Sequence, residues 1–409
     1  MSTPPNAEPQ TLTPPSLTAH HPVPVSRRML QVRSSPVREM LAVTQRPGMI
    51  SLAGGLPAAE FFDIEGLTLA ADEVLPDPSA WQYSVSEGLP TLRDTIAGRY
   101  SRAGLSTRMD QVLVTTGSQQ ALNLLAMALF NPGDVVLVQN PTYLAALQVF
   151  EMAGAMAVPL PLDDEDGRAL SACFERHRPR AVYVIPTFQN PTGRTMTASA
   201  RQILARMCDR HSVLLIEDDP YSELRFEGAA VPPVVSFADP ELTALLGTVS
   251  KTVSPGLRVG WVRTASGLAG ALATAKQAAD LHTSTLSQLI ADSYLRSGRL
   301  EGVLSRVRPQ YRLRRDAMLT ALRQVLPAPA RVTVPQGGMF IWVELPSAIN
   351  TQELLGRALA HGVAFAPGEA FHIGGAGTNT LRLSFATNPE EVIREGIRRL
   401  GLALSGGVP

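Results

Sequence analysis

Between residues 112 and 262, strand-length apolar runs alternate with amphipathic stretches, and this alternation limits the possible folds more than any other feature of the chain. The runs at 112–116, 135–139, 181–185, 213–217, 245–249 and 259–262 are rich in Val, Leu and Ile, whereas 119–130, 143–153 and 199–211 carry apolar residues at helical spacing. Strands that are apolar on both faces need cover on both faces. The pattern therefore predicts an α/β layered domain with a mostly parallel central sheet. In such sheets ligands gather at the carboxyl ends of the strands. Beyond about residue 305 the texture changes: a basic helix at 306–326, a strand at 339–344, a helix at 351–361, a strand at 380–385 and a last helix suggest a smaller α+β domain. The expected organisation is a tail at 1–30, an arm at 31–60, a large domain at 61–305 and a small domain at 306–409.

The 409 residues, 45% hydrophobic and 18% charged, are enough for both domains. Lys and Arg total 36, as do Asp and Glu, so no overall basic field favours nucleic acid or an anionic membrane. No apolar run reaches membrane-spanning length. Two isolated cysteines, Cys173 and Cys208, are too few for a disulfide framework or a metal cage, so no metal is expected and the chain fits a reducing cytoplasm. The first thirty residues, with prolines at 4, 5, 9, 14, 15, 22 and 24, lack the apolar core of a secretory signal and read as a disordered or loosely attached tail. Residues 31–41 suggest a turn at Ser35–Pro36 and a short helix carrying Arg38. Residues 49–57 suggest a short strand breaking into a turn at Gly54–Gly55, which is either a plain loop or a close approach to a ligand.

The polar residues cluster at the predicted strand ends. Lys251 is the centre of TVSKTVSPGLRVG at 248–260, between two apolar runs. An amine there, with hydroxyls at Thr248, Ser250 and Ser254 and a guanidinium at Arg258, can form an imine with a carbonyl compound while its neighbours grip a phosphate. A lysine snorkelling from a strand end has the same local appearance. Gly117, Ser118 and Gln119 open a helix, either as a phosphate site or as an ordinary cap. Tyr143 follows the 135–139 strand and either stacks on a planar ligand or packs locally. Asn190 lies in a turn after the 181–185 strand, and Asp218 with Tyr221 follows the 213–217 strand, where an aspartate can equally be a cap. Amine, phosphate cradle, stacking ring, carboxylate, amide and phenol together form the inventory for pyridoxal phosphate.

NPTG at 190–193, DDPY at 218–221, SK with GLR at 250–258 and LRLSF at 381–385 resemble the class I and II aminotransferases, of fold type I, in order and spacing. TQRPGMISLAGGLP, QYSVSEG and NPTYLAALQ further resemble the subgroup that contains 2-aminoadipate aminotransferase. The resemblance runs from about residue 37 to the C-terminus. It implies that Lys251 bonds the cofactor and then shuttles a proton, and that Asp218 pairs with the pyridinium nitrogen. Asn190 and Tyr221 would bond the phenolic oxygen, and Tyr143 would stack on the ring. Gly117, Ser118, Gln119, Ser250 and Arg258 would hold the phosphate. Tyr83 matches a tyrosine that reaches the phosphate from a neighbouring subunit, implying a homodimer. Arg382 matches the arginine that forks onto the substrate α-carboxylate, with Asn190 and Gly55 beside the substrate. The 31–60 arm would lie over the pocket, with Arg38 meeting a distal carboxylate of glutamate, 2-oxoglutarate or 2-aminoadipate. Its apolar neighbours Val37 and Leu41 equally suit leucine or aromatic side chains. Thr248 stands where many relatives carry serine and keeps the hydroxyl.

Fold and cofactor do not by themselves set the reaction, so a lyase or decarboxylase on the same cofactor is the enzymatic alternative. Some transcription regulators fuse a winged-helix domain to a domain of this kind, but here only about 35 proline-rich residues precede the match, too few for a DNA-reading module. No GxGxxG lies between a strand and a helix, which sets a dinucleotide enzyme aside.

Overall fold

The computed structural model describes residues 47–162 and 167–406, together with Ser26 and Met29. The rest of the proline-rich tail, the short helix expected at 31–41 and Arg38 lie outside the described residues.

The apolar runs become a seven-stranded sheet. β1 (Ile50–Ser51) lies outside it. The sheet itself comprises β2 (Val112–Thr115), β3 (Val135–Val138), β4 (Met156–Pro159), β5 (Ala181–Val184), β6 (Leu214–Asp218), β7 (Thr243–Thr248) and β8 (Gly260–Thr264), in the order β2-β8-β7-β6-β5-β3-β4. The β3–β4, β3–β5, β5–β6 and β6–β7 pairs are parallel, and β8 runs antiparallel to both β7 and β2. Only β8 is reversed, because the turn at 249–259 is too short for a helical crossover. The other six strands therefore all end at one edge. β4 has no clear signal in the sequence, since an edge strand half open to solvent lacks the full apolar run.

Side chains alternate across this sheet with the period of a strand. Val182, Val184, Leu215 and Leu245 pack on one face with Leu204, Cys208 and Phe174; Ala181, Tyr183, Ile216, Ala244 and Leu246 join the larger core on the other. Helices cover both faces. Thr197 caps the helix Ala198–His211 by accepting from Ala200 N–H, and the helix Leu144–Ala153 ends at Gly154 in the left-handed region.

A second sheet contains β9 (Arg331–Val332), β10 (Phe340–Glu344), β12 (Ala366–Pro367) and β13 (Thr380–Ser384), antiparallel in the order β12-β13-β10-β9. β11 (Val363–Ala364) pairs with β1 in parallel. Leu52 bridges these pieces: its N–H donates to the Ala364 carbonyl and its carbonyl accepts from Ser384 N–H. The basic helix begins at Arg299, earlier than expected, directly after Gly298 at φ 75°. Among the described residues no helix is long and apolar enough to cross a membrane, and no group of His, Cys, Asp and Glu is arranged to hold a metal ion.

Candidate active site

Lys251 lies half-buried in the turn between β7 and β8, and its Nζ donates to the Gly55 carbonyl at 2.9 Å. That contact brings the Gly54–Gly55 turn onto the lysine. A Cβ at position 55 would stand 2.8 Å from Phe340 Cζ, so the space beside this glycine is taken by an aromatic ring of the protein itself. Burial, then the Arg382 and Arg258 cations, push the Lys251 ammonium down to about 8, while Asp218 pulls it upward.

Asp218 is the last residue of β6 and is buried. Strand alternation puts it on the face of Leu214 and Ile216. Glu217 takes the opposite face, where its Oε2 accepts from Val235 N–H at 2.9 Å. On the adjacent strand Tyr183 is in register with Ile216, and its hydroxyl donates to Asp218 Oδ2 at 2.8 Å. Asp218 Oδ1 is buried with no hydrogen-bond partner among the described residues. Burial raises this carboxyl to about 7, with Asp219 adding to the rise and Tyr183 and Lys251 opposing it. An orphaned acceptor at this depth is costly unless a donor or a cation meets it.

Arg382, on β13 opposite Trp342 and Ala366, is also buried. Its Nη1 donates to Asn190 Oδ1 at 2.7 Å and its Nη2 to the Ala53 carbonyl at 2.6 Å. Phe340 and Phe371 lie against the guanidinium, with Cζ 4.2 Å and 4.8 Å from the ring centroids. Nε is buried and has no partner among the described residues, and burial lowers the group to about 10. Tyr143 donates from its hydroxyl to Gln119 Oε1 at 3.2 Å, and burial with the nearby Asp218 lifts its phenol to about 12. Tyr221, buried and edge-on to Phe340, is pushed up by burial first and Tyr143 second.

The start of the helix Ser118–Leu129 meets the turn before β8 because Thr115 and Thr248 both register with Gly260. Gly117 stands at φ 78°, and a Cβ there would fall 2.5 Å from Arg258 Nη2. A Cβ at Gly260 would fall 2.5 Å from Gly117 C and Ser118 N. Arg258 Nη2 reaches the Thr116 carbonyl at 3.5 Å. Buried Ser250 lies beside them, its Oγ 2.9 Å from Thr248 Oγ1. Backbone N–H groups at a helix start, approached closely where glycine leaves room and faced by an exposed guanidinium, are suited to hold an anion.

Lys251, Asp218, Asn190, Tyr143, Tyr221, Arg382 and Arg258 thus share one region, with Gly55, Gly117, Ser118, Gln119 and Ser250 lining it. Tyr83 is 79% exposed, its ring edge-on to His282 at 5.7 Å.

The model of aminotransferase class I and II matches residues 49–400. The chain belongs to that family. It is 42% identical over 383 residues to the 2-aminoadipate transaminase of Thermus thermophilus, covering 92% of this chain and 95% of that enzyme. It is 40% identical over 385 residues to aromatic-amino-acid aminotransferase 1 of Thermococcus litoralis, covering 92% of each. LysN, the α-aminoadipate aminotransferase of Thermus thermophilus solved with N-(5′-phosphopyridoxyl)-L-leucine, superposes with a TM-score of 0.86 at 40% identity, over 93% of this chain and 97% of that one.

This aminotransferase is a fold type I enzyme dependent on pyridoxal phosphate. Its residues fit the cofactor on three counts: an orphaned buried carboxylate oxygen suits a protonated ring nitrogen, the glycine-lined cradle suits a phosphate, and Lys251 is an amine brought down to about 8, well below an ordinary lysine. Sequence reasoning missed Tyr183, Phe340, Phe371 and the Ala53 carbonyl. Only Tyr183 left a trace, as the one polar-tipped residue in an otherwise aliphatic strand, two positions in register from Asp218.

Proposed function

We propose that this aminotransferase exchanges the amino group of an L-amino acid, namely 2-aminoadipate or a branched-chain or aromatic amino acid, with the 2-oxoglutarate/glutamate pair. The observation that carries the site assignment is the convergence of half-buried Lys251 with buried Asp218 and Arg382, both within electrostatic reach of the lysine. When bound, pyridoxal phosphate supplies a carbonyl for an amine and a ring that accepts an electron pair from the substrate Cα.

The chain's own residues do the rest. Lys251 Nζ would hold the cofactor through its carbonyl and, as a free amine beside the substrate, would move the Cα proton. Asp218 would hold a proton on the ring nitrogen with its unpartnered Oδ1, while Tyr183 fixes the other oxygen. Asn190 and Tyr221 would meet the phenolic oxygen, and Tyr143 would cover the ring. Gly117, Ser118, Gln119, Ser250 and Arg258 hold the phosphate. Arg382, kept flat by Phe340 and Phe371 and aligned by Asn190, forks onto the α-carboxylate. Arg38 meets a distal carboxylate, with Gly55 beside the substrate.

The active unit is a homodimer in which Tyr83 reaches the partner's phosphate site. The exposed apolar run Leu56, Ile64, Leu69, Trp81 and Val85 in the same part of the chain supports this reading. Two cysteines, neither in a disulfide, fit a cytoplasmic setting.

The substrate class is supported by the names of the relatives and by the leucine adduct in LysN. Absorbance titration of the yellow protein with a panel of amino acids, followed by identification of the 2-oxo acids released, tests it. Conversion to the pyridoxamine form by glutamate together with 2-aminoadipate, leucine or phenylalanine is the expected result. Conversion by none of them refutes the substrate assignment.

A further inference from the structure

Behind the phosphate cradle lies a buried cation whose ammonium hydrogen-bonds to Gln120 and Asp280, neither of them assigned to the cofactor. Lys276, on the helix Ser266–Ala279, has a fully buried side chain. Its Nζ donates to Gln120 Oε1 at 2.8 Å and to Asp280 Oδ1 at 2.7 Å. Both acceptors lead to Thr116. Gln120 Oε1 also accepts from Thr116 N–H at 2.7 Å, and Asp280 Oδ2 accepts from the Thr116 hydroxyl at 2.9 Å. The Thr116 carbonyl faces Arg258 Nη2. Thr116 is therefore held at its N–H, hydroxyl and carbonyl, immediately before Gly117.

We propose that Lys276 is a positioning residue for the cofactor phosphate, acting through Gln120, Asp280 and Thr116 on the turn that opens the helix Ser118–Leu129. The inference rests on the phosphate cradle proposed above. Its physical basis is that a phosphate is bound by N–H groups whose directions follow from the peptide planes at the helix start. Gly117 and Gly260 bring no side chain that could brace those planes; at both positions a Cβ would collide with its neighbours. A glycine at φ 78° has an intrinsically soft backbone. Rigidity must come from the residue before it, and Thr116 receives it from one buried ammonium that satisfies two acceptors at once. Without Nζ, Gln120 Oε1 keeps Thr116 N–H, and Asp280 keeps the Thr116 hydroxyl and the Gln120 side chain; a network half-satisfied in this way would let the turn drift. Lys276 acts through Thr116 on the turn that would hold the phosphate, so its effect is expected at the anionic end of the cofactor.

The test compares pyridoxal phosphate with pyridoxal, which lacks the phosphate. The full-length protein is stripped of cofactor, and each ligand is titrated by absorbance and by intrinsic fluorescence. Lys276→Met is expected to weaken pyridoxal phosphate binding about tenfold or more, the size of one hydrogen bond to a charged group, with pyridoxal binding changed by less than about twofold. Phosphorus NMR of the bound cofactor is expected to show a broadened or displaced phosphate signal. Equal losses for both ligands, or no loss for either, overturn the proposal and leave Lys276 a purely structural ion pair. Should Lys276→Met fail to fold, Thr116→Val decides, since it removes one hydroxyl contact without stranding a charge. A several-fold loss confined to pyridoxal phosphate is expected, and an unchanged ratio of the two affinities overturns the proposal. A wild-type protein with no preference for pyridoxal phosphate over pyridoxal would instead refute the cradle itself.

Discussion

Lys251 can form a covalent bond to a carbonyl only as the neutral amine, so its titration sets the pH at which the cofactor-free protein captures pyridoxal phosphate. An ordinary lysine titrates at 10.5, whereas burial and the two arginines bring this one to about 8. At about pH 7 the neutral fraction is then roughly one-tenth, against about 0.03% for an ordinary lysine, a gain of about 300-fold. The rate of imine formation, followed by absorbance from about pH 6 to about pH 9.5, should rise tenfold per pH unit at first and level off near pH 8. Two variants give the sign. Arg382→Met removes a neighbouring cation and should move the midpoint upward; Asp218→Asn removes the anion that favours the ammonium and should move it downward. The same profile measured with pyridoxal separates the lysine from the cofactor phosphate. A logarithmic climb continuing past pH 9.5 without a plateau, or a shift in the same direction for both variants, would refute the reasoning.

Arg382→Lys loses the fork and the aromatic sandwich, and should raise the KM for amino acids about 10- to 100-fold with a smaller change in cofactor affinity, measured by half-reaction kinetics. Gly117→Ala adds a Cβ 2.5 Å from Arg258 Nη2 at φ 78°, and should weaken pyridoxal phosphate binding by about 1–3 kcal/mol in a direct titration; unchanged binding would mean that the cradle is not there. Arg38→Ala should erode the preference for glutamate over leucine, and an unaltered ratio of kcat/KM would dismiss Arg38 as a specificity residue. Tyr83→Phe should weaken pyridoxal phosphate but not pyridoxal by about 0.5–2 kcal/mol in a protein that sediments as a dimer, and a monomeric active species would defeat the shared-site reading.

The strand ends were legible because their signals are local. An apolar run has to be buried, and the polar residue that follows it has to lie at the sheet edge, so Lys251, Asp218, Asn190 and Gly117 could each be assigned to that edge from order alone. Their roles came from resemblance, since an isolated Ser-Lys pair or an N-capping glycine is common in unrelated folds. β4 and the early start of the helix Arg299–Val325 were missed because an edge strand and a helix that starts straight after a left-handed glycine carry little periodic signal. The Tyr183 bond to Asp218 was missed because it depends on which strand lies beside β6.

The sequence by itself determined the layered α/β class, the position of each chemical group along the chain, and, through its motifs, the family and the cofactor. These follow from period, burial and residue type, which are written in consecutive residues. Only the tertiary structure decided that β8 runs backward beside β7 and β2, and so that Gly117 and Arg258 meet across Gly260. It alone brought Gly55 onto Lys251, set Arg382 between two phenylalanines, and tied Thr116 to a lysine 160 residues further along the chain. The physical reason is that strand order and register are settled by packing between distant segments, and a buried charge or an orphaned oxygen acquires its pKa from neighbours that no stretch of sequence contains.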